Sequence, residues 1–157
     1  MPLELWAGTR APEGASVLAK VSHAGAALDF CLTSFAVPVA RRQLGQAIAP
    51  IAGRDLQRLP IEISGCAGFE VLNSVRVIKC LDERLSKFTK WTEKDHRADL
   101  AGQYRMVTRL KIDLRLLPTS AHFFRLEGWR IALIVSERVK SAMENAGCLG
   151  AKFEDVT

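Results

Sequence analysis

Apolar and polar residues follow two different rhythms along this chain, and two stretches change rhythm in the same way. Phe30 to Ile48 reads FCLTSFAVPVARRQLGQAI, and Trp129 to Gly147 reads WRIALIVSERVKSAMENAG. Each opens on an aromatic and continues through an apolar run. Each closes on a segment whose apolar residues recur every three or four positions, the spacing of one helical face. Ala40, Leu44 and Ala47 stand opposite Val139, Met143 and Ala146, and Arg41 stands opposite Lys140. A short strand candidate follows each copy, Leu59–Ile63 and Lys152–Val156. The pattern predicts two related strand–helix–strand lobes.

Local signals sharpen the two copies unequally. In the first, Leu32–Ala36 reads as a buried strand, and Pro38 fits a first helical turn, where a missing N–H removes no bond. Ala40, Leu44, Ala47 and Ile48 would form the inward stripe, with Pro50 and Gly53 ending the segment. Gly45 inside that helix is about 1 kcal/mol worse than alanine, so it either admits a close neighbour or is merely tolerated. In the second copy, Ser136 is a good N-cap and Glu137 sits at the positive end of the helix dipole. Val139, Ala142, Met143 and Ala146 face inward, and Gly147 suits the left-handed turn that ends helices.

Between and before the copies the pattern is mostly extended. Residues 1–28 are rich in Gly, Ala and Pro and weakly patterned, with a strand candidate at Ser16–Val21 after a loop at Gly8–Ser16. Glu70–Cys80 reads as extended, with a bend at Asn73-Ser74. In Gln103–Leu116, Leu110, Ile112 and Leu114 alternate with Arg109, Lys111, Asp113 and Arg115, one set inward and the other outward. Phe123–Leu126 and Trp129–Val135 read as a hairpin over Glu127-Gly128. The least regular stretch is Leu81–Gln103. Asp82 caps one helical turn there. Lys87, Lys90, Glu93, Lys94, Asp95, His96, Arg97 and Asp99 then crowd around Phe88 and Trp91. A loop this long inside a domain is uncommon and often functional.

Composition narrows the class. A chain of 157 residues, 48% hydrophobic and 25% charged, suits one packed domain. No apolar run approaches the roughly 20 residues of a membrane span. Met1–Lys20 lacks the basic-then-apolar pattern of a secretory signal, which points to the cytoplasm. The formal charge of +5 permits an acidic partner and requires none; with aromatics at 7% and no dense basic run, a nucleic-acid footprint is incomplete. Cys31, Cys66, Cys80 and Cys148 have no zinc-ligand spacing and read as reduced core residues.

Candidate chemistry is thin. His23, His96 and His122 have no metal spacing, and Ser64–Gly68 lacks a phosphate-loop pattern. Asp95 beside His96 could orient a general base, but adjacent side chains usually point apart, and a solvated charge cluster is the simpler reading. Cys80 near Asp82 imitates a thiol nucleophile, yet it ends a Val/Ile run and reads as a buried structural thiol. Trp91 either anchors its loop to the core or stands exposed for a partner, as hot-spot aromatics do. The residues offer no catalytic, cofactor or metal site.

The run Phe124-Arg125-Leu126, Ile134–Lys140, Ala146-Gly147, Gly150 and Phe153–Val156, preceded in order by Leu72-Asn73, Cys80–Glu83, Ser86, Trp91 and Gly102–Tyr104, resembles a bacterial family. It is the family of immunity proteins of polymorphic toxin systems with a myxobacterial type member, formerly a domain of unknown function. The resemblance covers residues 28–156. It departs in the first copy, where Val37-Pro38 stands for the Ser-Glu that opens the second helix. It implies a small cytoplasmic protein that binds and neutralises a cognate toxin. Immunity to basic nucleases is often acidic, so a chain of charge +5 suits a toxin with a neutral or acidic face.

The expected fold is α+β. One domain over 1–157 holds a mostly antiparallel, twisted sheet with two principal helices packed on it. Its parts are 1–28, a first lobe at 29–69, connecting strands and the charged loop at 70–116, and a second lobe at 117–157. The expected function is non-enzymatic toxin binding, with Lys87, Lys90, Trp91, Lys94, Asp95, His96 and Arg97 at the contact. Two other classes stay open: an enzyme using His96 with Asp95 or Cys80, and a module that self-associates through a sheet edge.

Overall fold

The structure is a computed structural model that describes residues 4–157; the first three residues of the weakly patterned N-terminal segment lie outside them. Five strands form the largest sheet: β1 (Val17–Ala19), β2 (Phe30–Leu32), β3 (Pro38–Arg41), β4 (Leu56–Ile63) and β5 (Phe69–Ser74), in the order β1-β4-β5-β3-β2. All its pairs are antiparallel except β1 with β4. A second sheet has the order β10-β9-β6, from β6 (Val77–Ile78), β9 (Phe123–Leu126) and β10 (Trp129–Val135). Lys87–Lys90 (β7) and Tyr104–Arg109 (β8) form a separate antiparallel ribbon. Two α-helices, α1 (Arg42–Ala52) and α2 (Glu137–Asn145), complete the architecture, so the chain is α+β as its pattern predicts.

Side-chain alternation explains where the cores sit. Both helices bring their stripes to one core: Leu44, Ile48 and Ala52 from α1 and Val139 and Met143 from α2 meet Leu56, Leu72 and Phe123. The other face of the large sheet is covered by the N-terminal segment, with Leu5 and Ala11 against Val39, Leu59, Phe69 and Val71. β5 is therefore buried along its whole length. On β9, Phe123 points to the helical core and Phe124 to a third core with Cys80, Ile112, Leu126 and Ile134. Polar groups pin the N-terminal segment. The Gln57 side chain bonds both the N–H and the C=O of Ala11, at 2.8 and 2.9 Å, and Asn73 Nδ2 donates to Thr9 O at 2.9 Å.

The first copy differs most from its pattern. Leu32–Ala36 is no strand: β2 ends at Leu32, the chain turns, and Pro38 opens β3 opposite Leu32. A proline is tolerated at the first residue of a strand, where its missing donor costs no ladder bond. Ala40 is buried from β3, and α1 starts only at Arg42, with Pro50 inside it and Gly53 as its C-cap. The inward stripe is thus Leu44, Ile48 and Ala52. Gly45 has a specific reason. A Cβ there would collide with Glu70 Oε1, and Glu70 forms a bidentate pair with Arg58 at 2.7 and 2.9 Å.

Elsewhere the expected elements hold with shifted details. Asn73 and Ser74 remain in β5, and the break falls at Val75-Arg76. Lys152–Val156 has no regular structure; Ile112 N–H donates to Val156 O at 2.8 Å, and Phe153 and Val156 pack on two of the cores. Leu114 is exposed, because Leu114–Leu116 is a 3-10 turn rather than strand. Ala146 is exposed at the end of α2. Asp82 caps a turn, accepting from Arg84 and Leu85 N–H, with no helix following.

One buried cation ties the two larger sheets together. The hairpin of β9 and β10 carries an irregularity between Trp129 and Leu133, and bulges leave carbonyls unpaired. Fully buried Arg125 donates Nη1 to Arg130 O at 2.7 Å inside that irregularity. Its Nη2 donates to Ala36 O at 2.9 Å in the turn between β2 and β3. Burial pushes its pKa down. Ala36 sits at φ +54, a conformation costing about 1–3 kcal/mol for a residue with a Cβ.

Candidate partner-binding site

The charged stretch Leu81–Gln103 contains β7, and it folds back on β8 as a ribbon rather than lying as an open loop. The register pairs Lys87 with Arg109, Phe88 with Val107, Thr89 with Met106 and Lys90 with Tyr104, with two irregularities that leave Thr108 and Arg105 unmatched. Successive side chains of a strand point to opposite faces. Phe88, Val107, Lys90 and Tyr104 therefore share one face, and Lys87, Arg109, Thr89 and Met106 share the other.

The first face is the root that fixes the ribbon to the body. The Phe88 and Tyr104 rings meet edge to face, 5.1 Å apart. Lys90 Nζ lies 5.5 and 5.2 Å from their centroids and bonds Glu83 Oε1 at 2.6 Å. The Tyr104 hydroxyl donates to the same oxygen at 2.6 Å. These bonds, from Lys90 first and then Tyr104, hold the Glu83 carboxyl below its ordinary range. Burial and the bond to Glu83 push the Tyr104 phenol up. The Tyr104 ring lies on Gly128 in the turn between β9 and β10; a Cβ there, at φ +81, would come within 2.9 Å of the ring.

The far end is organised around Trp91. Its N–H donates to Gln103 O and its C=O accepts from Gly102, both at 2.9 Å. Asp95 Oδ2 accepts from the N–H and hydroxyl of Thr92 at 2.7 and 2.8 Å, while Oδ1 accepts from Arg105 Nη1 at 3.0 Å. The Thr92 bonds are the main reason the Asp95 carboxyl is held low. The Arg105 guanidinium stands 4.7 Å from the Trp91 ring centroid, and the His96 ring meets that indole edge-on at 5.3 Å. Half-buried Trp91 thus anchors the tip to itself and joins none of the three cores.

Of the seven residues singled out in the sequence, Trp91, Asp95 and His96 come together at the tip. Lys90 belongs to the root and is held by Glu83. Arg97 is held by Asp99 through bonds of 2.9 and 2.7 Å. Lys87 and Lys94 are exposed and form no ion pair among the described residues. Glu83, Tyr104 and Arg105 complete the arrangement; Glu83 and Tyr104 stand among the motif residues of the resemblance, but the sequence pattern places none of the three at the contact. Register alone brings Tyr104 and Arg105 to Lys90 and Trp91, and that register depends on two bulges that leave no mark in the pattern.

The groups considered for catalysis are used otherwise. Cys80 is fully buried, and burial with the nearby Asp113 charge pushes its thiol up to about 11, away from the thiolate a nucleophile needs. The Asp95 oxygens serve Thr92 and Arg105, and no hydrogen bond joins Asp95 to His96 among the described residues. His122 Nδ1 lies 3.0 Å from Ser136 Oγ at the start of α2. Two shallow depressions flank the helices. One, about 370 Å³, is lined by Ile51, Glu137, Arg138 and Ser141. The other, about 330 Å³, is lined by Asp55, Arg76, Ser120 and His122. Neither includes Cys80 or the Asp95–His96 pair. No group of three metal-ligating side chains converges among the described residues, and no helix there is long and apolar enough to cross a membrane.

Residues 71–157, from β5 through the ribbon, the β9–β10 hairpin and α2 to the C-terminus, match the model of the immunity protein family Imm11. The chain belongs to the Imm11 immunity protein family. No curated protein matches it. Inside the Imm11 match, the motif residues do structural work: Cys80 fills a core, Asp82 caps a turn, Ser136 caps α2 and Tyr104 seats the ribbon. β2, β3, α1 and β4 precede the matched residues, so the first lobe of this Imm11 protein lies outside the match.

Proposed function

We propose that this Imm11 chain is a cytoplasmic immunity protein of a polymorphic toxin system, which neutralises a cognate toxin by binding it, without catalysis. The ribbon of β7 and β8 with its Trp91 tip is the contact. Lys87, Lys90, Trp91, Lys94, Asp95, His96 and Arg97 lie on it or at its end. Family membership supports the binding role. The observation that carries the choice of surface is the tip itself. A tryptophan is held in place by a guanidinium, an imidazole and two backbone bonds, outside every core, on a ribbon most of whose residues are exposed. A pre-ordered aromatic gives a partner large contact area at little ordering cost.

The test takes the product of the adjacent open reading frame as the partner. Lys94→Glu alters an exposed side chain without an ion pair, and Trp91→Ala removes the anchor. Loss of a hot-spot aromatic costs about 2 kcal/mol or more, roughly a thirtyfold weaker Kd, and toxicity should return in proportion. Unchanged affinity in both variants, each with a wild-type circular-dichroism spectrum, would remove the ribbon as the contact.

A further inference from the structure

The outer face of the ribbon carries an arrangement that stability alone does not favour. Lys87 and Arg109 are directly opposed across β7 and β8. Side chains at such positions sit about 4.5–5.5 Å apart at Cβ, and like charges there destabilise the pair. Both residues are exposed, and neither has a carboxylate partner among the described residues. The contrast with the other face is direct, since Lys90 there is matched by Glu83. Beside the two cations, and on the same face, lie exposed Thr89 and Met106, the latter 53% accessible.

We propose that this face is a docking site for an acidic patch of the toxin, with a carboxylate of the toxin seated between Lys87 and Arg109 and an apolar side chain packed on Met106. The proposal rests on the ribbon being the toxin contact and names the chemistry of the partner there. A carboxylate in that position relieves the repulsion between the two cations and gains charge-assisted bonds from both. Methionine is a soft, adaptable apolar surface suited to a protein partner. A nucleic acid needs a longer basic stripe with stacking aromatics, whereas this face offers two cations and no aromatic ring.

The experiment exploits the opposed pair. Lys87→Glu puts a carboxylate across from Arg109, so the ribbon itself should be no less stable. Full-length wild type, Lys87→Glu and Lys94→Glu are each titrated with the product of the adjacent open reading frame at two salt concentrations, and thermal melts are recorded. Lys87→Glu should keep or raise the melting temperature yet bind the toxin at least about tenfold more weakly, mainly through slower association, with a flatter salt dependence. Wild-type affinity in Lys87→Glu overturns the inference. If Lys94→Glu nevertheless weakens binding, the ribbon reading stands and only the carboxylate seat falls; if Lys94→Glu and Trp91→Ala also bind normally, both fall. A duplex oligonucleotide that binds the wild type more tightly than the toxin does, and loses that affinity in Lys87→Glu, overturns it in favour of nucleic acid.

Discussion

The two helices do the same job by different means. α2 is written into its own residues. Ser136 Oγ accepts from Val139 N–H, and Glu137 stands in the first turn. The far end closes with Gly147 N–H to Glu144 O at 2.9 Å and Cys148 N–H to Met143 O at 3.1 Å, the paired bonds of a Schellman end. α1 ends on a glycine of its own, Gly53, whose N–H donates to Ala49 O, but its start has none of this. Its N-cap, Arg41, makes no side-chain cap bond, its first turn has no acidic residue, and Gly45 and Pro50 lie within it. Yet Leu44, Ile48 and Ala52 are as buried as Val139 and Met143. α1 is held from outside: β3 runs straight into it, Arg42 N–H finds Gly68 O at 2.9 Å, and the Arg58–Glu70 pair lies under Gly45. A helix without a local start signal can still be fixed when its neighbours supply the missing partners.

The largest expected effect attacks that outside support. Arg58→Met leaves the Glu70 carboxylate buried beneath α1 without its cation. Glu70 is buried while Arg58 reaches solvent, and leaving one buried charged group without its partner costs about 3 kcal/mol, so urea denaturation should show a lower midpoint. Arg58→Met combined with Glu70→Met should recover part of the loss, because the double variant leaves no orphan charge. If the single change costs less than the double, the pair is not what holds α1. Met143→Ala strikes the core that both helices share. Truncating a fully packed methionine costs about 2–5 kcal/mol, and a circular-dichroism melt without that loss would separate α2 from the core.

This asymmetry also decides what the sequence could reveal. α2, the β9–β10 hairpin and its Gly128 turn were legible because their signals are local: a cap, an alternating run, a turn dipeptide. The first copy misled because Val37-Pro38-Val39-Ala40 fits a helix start and a strand about equally well, and only pairing with β2 and β5 settles it. Gly45 announced a question that Glu70, 25 positions away, answers. At the candidate site, residue type drew attention to Trp91 and the lysines. Their partners Tyr104 and Arg105 arrive through a bulged register, which no periodicity encodes, and Glu83 reaches Lys90 from the turn before β7. The opposed Lys87–Arg109 pair is invisible for the same reason, since Arg109 reads as an ordinary solvent-facing strand residue.

The smallest effect tests whether the local signals of α2 matter energetically. Ser136→Ala removes the acceptor of Val139 N–H, 3.3 Å away, and the partner of His122 Nδ1 at 3.0 Å. Loss of such a cap typically costs about 1 kcal/mol, visible as a modest drop in melting temperature. Ser136→Asp separates the two bonds: aspartate caps as well as serine and adds charge at the positive end of the helix, so it should regain the loss whether or not the His122 contact re-forms. If alanine proves neutral, α2 stands on Val139 and Met143 alone, as α1 stands on Leu44 and Ile48. The helices would then differ in how they are written but not in what holds them. If aspartate restores what alanine loses, the cap is a genuine part of the stability of α2, and α1 does without one only because β3, Gly68 and the Arg58–Glu70 pair meet the same need.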